Sequence, residues 1–281
     1  MKLLPLLALL FLFFSIDAQA KLKNTILLIH GATVSGSVLK VGPFFLGEYF
    51  QGVPEHLKSL GVNVELMELP SNSSIEERAV VVKNFLETHL AKQKVNIIAH
   101  SLGGLDARYL VSILQSKQVA SITSIGTPHH GTPLADWAFA QMKEKKFWFQ
   151  FFRFLGYDMS QRRFLPELTT NFVEKIFNPK VKDRADIKYF SVVGTGDPWK
   201  GTMSALLWYT YIMLKRETHP MSLEACDGLV PASSQHWGAV LAELPLDHLA
   251  QMNHYTFRLP HQEESFAMYT KIVQTLEQQG L

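Results

Sequence analysis

A single serine, Ser101, stands in a local sequence that is typical of a reactive nucleophile. It follows the apolar run 95–100, and a stretch with helical periodicity begins directly after it at Leu102. The small residues Ala99 and Gly103 stand two places before and two places after the serine. A serine on a sharp strand-to-helix turn needs small neighbours there, because the two elements pass closely. The pattern predicts a nucleophile elbow, with Ala99 in place of the usual glycine; the alternative is a helix N-cap serine after a buried strand.

An acyl-transfer reaction also needs hydrogen-bond donors for the oxyanion that develops on the substrate. His30, Gly31 and Ala32 directly follow an apolar run at 25–29. A backbone N–H just beyond that strand can point into the same crevice as the N–H after the serine. Ala32 and Leu102 are therefore the expected donors; the alternative is a simple strand-to-loop turn that uses Gly31.

A serine hydroxyl is too weak an acid to attack an ester at neutral pH without a base. A histidine must take its proton, and an acid must hold the imidazole in the correct tautomer. Downstream of Ser101 lie Asp227, in the sequence Asp-Gly-Leu-Val-Pro, and then His248. This order of serine, acid and histidine is the one that an α/β sheet topology of this kind requires. The alternative for Asp227 is an ordinary turn aspartate before glycine.

The elements around these residues alternate between strands and helices. Strands separated by helices of this length predict an α/β fold, with a mostly parallel central sheet and helices on both faces. Functional residues in such sheets lie at the carboxyl ends of the strands, where Ser101 falls. The predicted strands are Thr25–Ile29, Val62–Leu69, Val95–Ala99 and Val119–Ile125, and the predicted helices are Val53–Leu60, a helix after the capping box Ser74-x-x-Glu77, and Leu102–Gln115.

The N-terminal segment has the pattern of an export signal. Met1-Lys2 precedes the apolar run Leu3–Ile16, and an Ala-x-Ala site ends at Ala20. The apolar run is shorter than the roughly 18–20 residues that a spanning helix needs, so an uncleaved anchor is the weaker alternative. We expect residues 1–20 to be a signal peptide and residues 21–281 to form a single domain, secreted or periplasmic after cleavage.

Composition excludes some classes of partner and bond. The chain has 27 Lys and Arg against 25 Asp and Glu, a formal net charge of +2, which does not indicate nucleic acid as a partner. Cys226 is the single cysteine, so the chain cannot form an internal disulfide. The sequence shows no His/Cys metal cluster, and we expect no cofactor.

These residues together resemble the secreted bacterial true lipases of the Pseudomonas and Burkholderia type. The resemblance is strongest from Ile26 to Asp136 and from Asp227 to His248, and it rests on His-Ser-Leu-Gly-Gly at 100–104, on the stretch from Val119 to His129, and on Asp-Gly-Leu-Val. It implies an α/β-hydrolase fold and a serine ester hydrolase. It also implies Ser101 as nucleophile, Asp227 and His248 as its partners, and Ala32 and Leu102 as oxyanion donors.

Two other residues compete for the acid and histidine roles. His254 lies six residues after His248, and Asp197 follows the strand-like run 189–194, where many hydrolases of this fold keep their acid. The resemblance favours His248, because its interval of 21 residues from Asp227 is close to that of the resembled lipases. Asp197 precedes a proline and so favours a turn.

The chain departs from the resembled lipases in its metal ligands. Those lipases hold a calcium ion near the catalytic histidine through two aspartates, and the corresponding places here are Ala250 and the apolar stretch 205–207. We therefore expect activity without calcium, although Asp197 and Asp247 could build an unrelated site. The resemblance leaves open a dedicated folding chaperone as a partner.

The segment 132–180, where the resembled lipases keep a lid, is rich in aromatic and cationic residues. An amphipathic helix of this composition can cover an apolar cleft in water and turn its apolar face to a lipid–water interface; the alternative is a plain core helix. The residues concerned are Trp137, Phe139, Phe147, Trp148, Phe149, Phe151, Phe152 and Phe154, with Lys143, Lys145, Lys146 and Arg153.

The sequence thus predicts a secreted serine ester hydrolase, first a triacylglycerol lipase acting through an acyl-enzyme at Ser101. The first alternative is another esterase of the same fold, such as a phospholipase or a polyester depolymerase. The second is a non-catalytic binding protein, since a fold alone does not fix a function.

Overall fold

The computed structural model describes residues 22–32, 38–41, 44–143, 162–217, 219–255 and 262–281. The expected signal peptide, residues 1–20, and residues 144–161 of the expected lid segment lie outside these ranges. The strands are β1 (Thr25–Ile29), β2 (Val38–Val41), β3 (Phe44–Glu48), β4 (Val64–Met67), β5 (Val95–His100), β6 (Val119–Ile125), β7 (Lys188–Gly194) and β8 (Ala239–Leu244). The helices are α1 (Val53–Ser59), α2 (Ile75–His89), α3 (Leu102–Ser112), α4 (Pro133–Lys143), the helical stretch α5 (170–180, π-helical over Val173–Phe177), α6 (Trp208–Arg216), α7 (Ala232–Gln235) and α8 (Gln262–Gln278).

Six strands form one sheet in the order β4-β1-β5-β6-β7-β8, and all neighbouring pairs are parallel. In a parallel sheet the carboxyl ends of all strands meet at one edge, so the loops after β1, β5, β6 and β7 converge there. Strands β2 and β3 form a separate antiparallel pair. The α/β architecture expected from the sequence is confirmed.

Helices cover both faces of the sheet. Ile26 and Leu28 of β1 belong to an apolar cluster with residues of α1 and α8. Leu27 and Ile29, which alternate with them, belong to a second cluster with residues of α2 and α3. Because successive strand side chains point to opposite faces, one fully buried strand supplies both layers of the core.

Helix α2 begins where the sequence predicted. The Ser74 side chain accepts from the Glu77 N–H, and the Glu77 carboxylate accepts from the Ser74 N–H. The predicted strand at 62–69 is shorter in the structure, where only Val64–Met67 pairs with β1. Within the described residues, no helix has the length and apolarity needed to cross a membrane.

Candidate active site

Ser101 lies on a tight turn between β5 and α3. Its backbone angles are φ 56° and ψ −128°, outside the regions that residues with a side chain usually adopt. The turn is held by the hydrogen bond from the Ser101 N–H to the Ile125 carbonyl, at 2.9 Å. A Cβ atom on Gly103 would lie 2.8 Å from the Ile29 carbonyl oxygen, so only glycine fits there. Helix α3 therefore passes closely over the end of β1, whereas the sequence pattern predicted a close passage between the helix and the strand that precedes Ser101.

A second glycine of the elbow was not identified from the sequence. A Cβ atom on Gly104 would lie 2.2 Å from Oγ1 of Thr127. The Thr127 hydroxyl in turn donates to the Ser101 carbonyl at 2.8 Å. The sequence signal that could have identified Gly104 is the pair of glycines at 103 and 104. In the structure Gly103 faces the end of β1, and Gly104 faces Thr127, which follows β6.

The loop after β1 passes directly against Ser101. A Cβ atom on Gly31 would lie 2.6 Å from Cβ of Ser101. Ala32 is half-buried and packs against the apolar cluster that contains Leu102 and Leu105. The structure therefore brings both expected oxyanion donors, Ala32 and Leu102, next to the elbow.

Arg78 of α2 fixes the orientation of this loop. Its guanidinium donates to the carbonyls of His30 at 2.6 Å and Gly31 at 3.3 Å. The C=O of Gly31 and the N–H of Ala32 point in opposite directions, because they share one trans peptide plane. Nδ1 of His30 lies 2.8 Å from the same Gly31 carbonyl oxygen, so the Ala32 N–H points away from both Arg78 and the His30 ring. Arg78 itself is buried and pairs with Asp106 at 2.8 Å.

Asp227 and His248 form a buried pair. Nδ1 of His248 lies 2.7 Å from Oδ2 of Asp227, and the His248 N–H donates to the Asp227 carbonyl at 2.9 Å. The other carboxylate oxygen accepts from the N–H groups of Leu229 at 3.0 Å and Val230 at 2.8 Å. With the Nδ1–H of His248 donating to the carboxylate, Nε2 of the same ring is left as an acceptor.

The His248 ring lies next to the elbow. Its centroid is 4.5 Å from that of His100, the residue before Ser101. Burial, reinforced by the neighbouring His248, lowers the pKa of His100 well below its usual value. The structure therefore groups the three residues proposed from the sequence, Ser101, Asp227 and His248, at the carboxyl edge of the sheet.

The two competing residues lie in other environments. His254 is buried, and its Nε2 donates to the backbone carbonyls of Glu48 at 2.6 Å and Tyr49 at 3.1 Å. Oδ1 of Asp197 accepts from the N–H groups of Trp199 at 2.8 Å and Lys200 at 3.3 Å. His254 thus holds the segment that follows β3, and Asp197 starts a turn.

The positions that correspond to the calcium ligands of the resembled lipases have other surroundings in this structure. Ala250 is fully buried in the core, and the stretch 205–207 is a 3-10 turn. Asp247 accepts from the N–H groups of Leu249 at 3.0 Å and Ala250 at 2.8 Å through Oδ1, and from Ser204 at 2.5 Å through Oδ2. Among the described residues, no group of three acidic, histidine or cysteine side chains is placed to hold a metal ion. Independence of calcium stays a prediction.

The expected lid segment, residues 132–180, is described only at its two ends, 132–143 and 162–180. Trp137 of α4 is half-buried and contacts Tyr209 of α6 edge-on, with ring centroids 6.3 Å apart. The aromatic residues from Phe147 to Phe154 lie outside the described ranges, so both interpretations of the segment stay open.

Comparison with known proteins agrees with this fold. Residues 68–179 match a family model described as the alpha/beta hydrolase fold. Triacylglycerol lipase 2 of Saccharomyces cerevisiae is 30% identical over 222 residues, which cover 73% of this chain and 62% of the yeast protein. A triacylglycerol lipase of Burkholderia plantarii is 33% identical over 127 residues, or 43% of this chain and 34% of that protein.

The chain thus spans less than two thirds of the length of these curated relatives. A solved structure, the lipase of Staphylococcus hyicus, superposes with a TM-score of 0.70 at 19% identity and covers 93% of this chain and 97% of that one. The resemblance to the bacterial lipases is confirmed. The chain has the α/β-hydrolase fold, and the curated relatives that it matches are lipases.

Proposed function

We propose that this protein is a secreted serine carboxylic-ester hydrolase, and specifically a triacylglycerol lipase that acts through an acyl-enzyme at Ser101. The observation that supports this most is the 2.7 Å contact between His248 and Asp227 beside the strained Ser101 turn. A buried aspartate bound to Nδ1 orients the imidazole so that Nε2 can accept a proton.

In this mechanism Nε2 of His248 takes the proton of the Ser101 hydroxyl as the serine oxygen attacks the ester carbonyl. The carbonyl oxygen becomes an oxyanion, which the N–H groups of Ala32 and Leu102 stabilise. The Leu102 N–H begins α3 and has no acceptor within the helix, so it is available for this role. His248 then gives its proton to the leaving alcohol.

Water completes the cycle. His248 deprotonates a water molecule, which attacks the acyl-enzyme, and the same oxyanion donors stabilise the second tetrahedral intermediate. Collapse of that intermediate releases the fatty acid and returns the proton to Ser101. Asp227 holds the imidazole in place throughout, and its two oxygens accept four N–H groups, including one from Gln251.

The substrate class is supported by the lipase relatives, and export by the pattern of residues 1–20. We further propose that the segment 132–180 covers the acyl site and docks on a lipid–water interface. Replacement of both Phe151 and Phe152 by serine is then expected to reduce hydrolysis of emulsified triglyceride more than hydrolysis of a dissolved ester. Equal losses on both substrates would favour a core helix.

The direct test of function compares wild type with Ser101→Ala. We expect the variant to stay folded and to lose roughly 10³-fold or more of its ester hydrolysis, because the covalent step is removed. Ser59→Ala, at an exposed serine of α1 whose hydroxyl bonds only the His56 carbonyl, is the matched control and should keep full activity. Near-normal turnover by Ser101→Ala would reject the nucleophile.

Substrate profiling separates the remaining functions. A triacylglycerol lipase hydrolyses emulsified long-chain triglyceride as well as a short p-nitrophenyl ester. Activity on the short ester alone, or on a phospholipid or polyester in preference, would assign the protein to another esterase class. A folded wild type that neither hydrolyses esters nor reacts with a fluorophosphonate would be a binding protein.

A further inference from the structure

We propose that Gln251 is a positioning residue for this active site, and that Tyr49, His100 and Gln251 form a buried hydrogen-bond relay from the oxyanion loop to Asp227. The proposal rests on the function proposed above, and it assigns roles to three residues that do not touch the substrate.

The relay begins at the oxyanion loop. The Gly31 N–H donates to the Tyr49 hydroxyl at 2.9 Å, and that hydroxyl lies 2.7 Å from Nδ1 of His100. Tyr49 and His100 are both buried. Burial also raises the pKa of Tyr49, so its hydroxyl keeps its proton.

The relay ends at the acid. Nε2 of His100 lies 3.0 Å from Oε1 of Gln251, and Nε2 of Gln251 donates to Oδ2 of Asp227 at 3.1 Å. The same amide nitrogen lies 3.4 Å from the Leu246 carbonyl. Gln251 is fully buried, so these contacts are made in a medium of low dielectric, where each hydrogen bond is strong.

Only one arrangement of protons satisfies every contact. The carboxylate of Asp227 and the Leu246 carbonyl both accept, so the Gln251 nitrogen must face them and its oxygen must face His100. His100 then carries its proton on Nε2, which leaves Nδ1 to accept from the Tyr49 hydroxyl. Every donor in the relay therefore points from Gly31 towards Asp227.

Two glycines shape the slot that holds the amide. A Cβ atom on Gly126, directly after β6, would lie 2.1 Å from Oε1 of Gln251. A Cβ atom on Gly194, the last residue of β7, would lie 2.0 Å from Nε2. The amide thus fills the space that side chains at these two positions would occupy, and a side chain at either one would displace it.

This position gives Gln251 two effects on the site. It supplies one of the four N–H groups that hold Asp227 in line with His248, and it joins the acid to the loop that carries Ala32. Two titratable groups face the His248 ring directly, Asp227 and His100. His254 lies beyond His100. Asp247 precedes His248 in the chain, and its carboxylate accepts from three backbone N–H groups. Removal of the amide donor leaves more of the Asp227 charge uncompensated and so favours the imidazolium form of His248.

The experiment uses Gln251→Met, Tyr49→Phe and the double variant, assayed on a soluble p-nitrophenyl ester across pH. Gln251→Met is expected to lower kcat about tenfold with KM nearly unchanged. Because His248 must be neutral to act as base, the acid limb of kcat/KM should move up by roughly 0.5–1 pH unit. Tyr49→Phe should also lower kcat. The kcat of the double variant should be no more than about threefold below that of the less active single variant, because both substitutions break the same relay.

Tyr269→Phe is the matched control. The Tyr269 hydroxyl is buried and donates to the backbone carbonyl of Gln251 at 3.0 Å, outside the relay. This variant should lower the melting temperature but leave kcat and the acid limb unchanged. An equal fall in kcat for Tyr269→Phe, multiplicative losses in the double variant, or an unmoved acid limb in Gln251→Met would each overturn the relay.

A readout without turnover separates this proposal from the proposed function. Nuclear magnetic resonance titration of the His248 ring in wild type and Gln251→Met needs no substrate. The midpoint should rise in the variant, and an unchanged midpoint rejects the relay. Ester hydrolysis or fluorophosphonate labelling of the wild type tests the function alone.

Discussion

Asp227→Asn is the substitution whose effect can be worked out most fully from the structure. The carboxylate accepts from Leu229 and Val230 on Oδ1 and from His248 and Gln251 on Oδ2. Asparagine offers one accepting oxygen and one donating NH₂ group in the same space. Four N–H groups therefore meet a side chain that can accept from only one side.

The two orientations of the new amide have different costs. If the NH₂ group faces Leu229 and Val230, two buried backbone N–H groups lose their acceptor, at about 1–3 kcal/mol each. If it faces His248, the ring can move its own proton from Nδ1 to Nε2 and accept from the amide, and the single N–H group that loses its acceptor is that of Gln251. The second orientation is cheaper, and it leaves Nε2 unable to take the proton of Ser101.

We therefore expect Asp227→Asn to fold and to lose roughly 10³–10⁴-fold in kcat, as happens when the tautomer of a catalytic histidine is wrong. The assay is kcat on a soluble ester together with the rate of fluorophosphonate labelling. Asp197→Asn is the control and should stay within about twofold, because the Asp197 carboxylate contacts the turn residues Trp199 and Lys200. An Asp227→Asn variant with more than a tenth of normal kcat, or an Asp197→Asn variant that falls as far, would refute the assignment of the acid.

A matching comparison of His248→Ala with His254→Ala should abolish labelling only in the first; strong labelling of the first and none of the second would reverse the assignment. Prolonged treatment with a calcium chelator should leave activity and melting temperature unchanged, and recovery of a lost activity on adding calcium would contradict this. Burial, with a smaller effect of Arg78, lowers the pKa of His30 to about 4 from its usual 6.5. Between these two pKa values the folded protein binds fewer protons than the unfolded chain. The contribution of His30 to the free energy of unfolding is therefore complete above pH 6.5 and falls on acidification, by about 2 kcal/mol at pH 5. A melting temperature that does not change from pH 7 to pH 5 would contradict this prediction. Gly194→Ala should destabilise the fold by about 1–3 kcal/mol, because the new methyl group overlaps the Gln251 amide, and unaltered thermal unfolding would show that the slot can widen.

Local patterns were sufficient for the parts of the fold that local physics decides. Strands β1 and β6 and the start of α2 lie where buried apolar runs and the capping box place them. Strand β8 was not predicted, although its sequence begins with the apolar residues 239–242, and in the structure it is exposed and half-buried at the edge of the sheet. The β2–β3 pair was likewise not predicted.

The candidate site likewise contains residues that the sequence could indicate and residues that it could not. Ser101, Asp227 and His248 belong to short motifs with a required order, so a sequence can indicate them. Tyr49 and Gln251 are single neutral residues about 200 positions apart, and no local pattern marks either of them. Their relation exists only after β1, β5 and the segment after His248 meet at one edge of the sheet.

The carboxylate of Asp247 joins the turn after His248 to the distant segment at Ser204. In the resembled lipases a calcium ion joins the corresponding two regions. Because Asp247 is part of the chain, every molecule contains this link, and its hydrogen bonds form in an intramolecular step. We therefore expect refolding from denaturant to proceed equally fast at any calcium concentration.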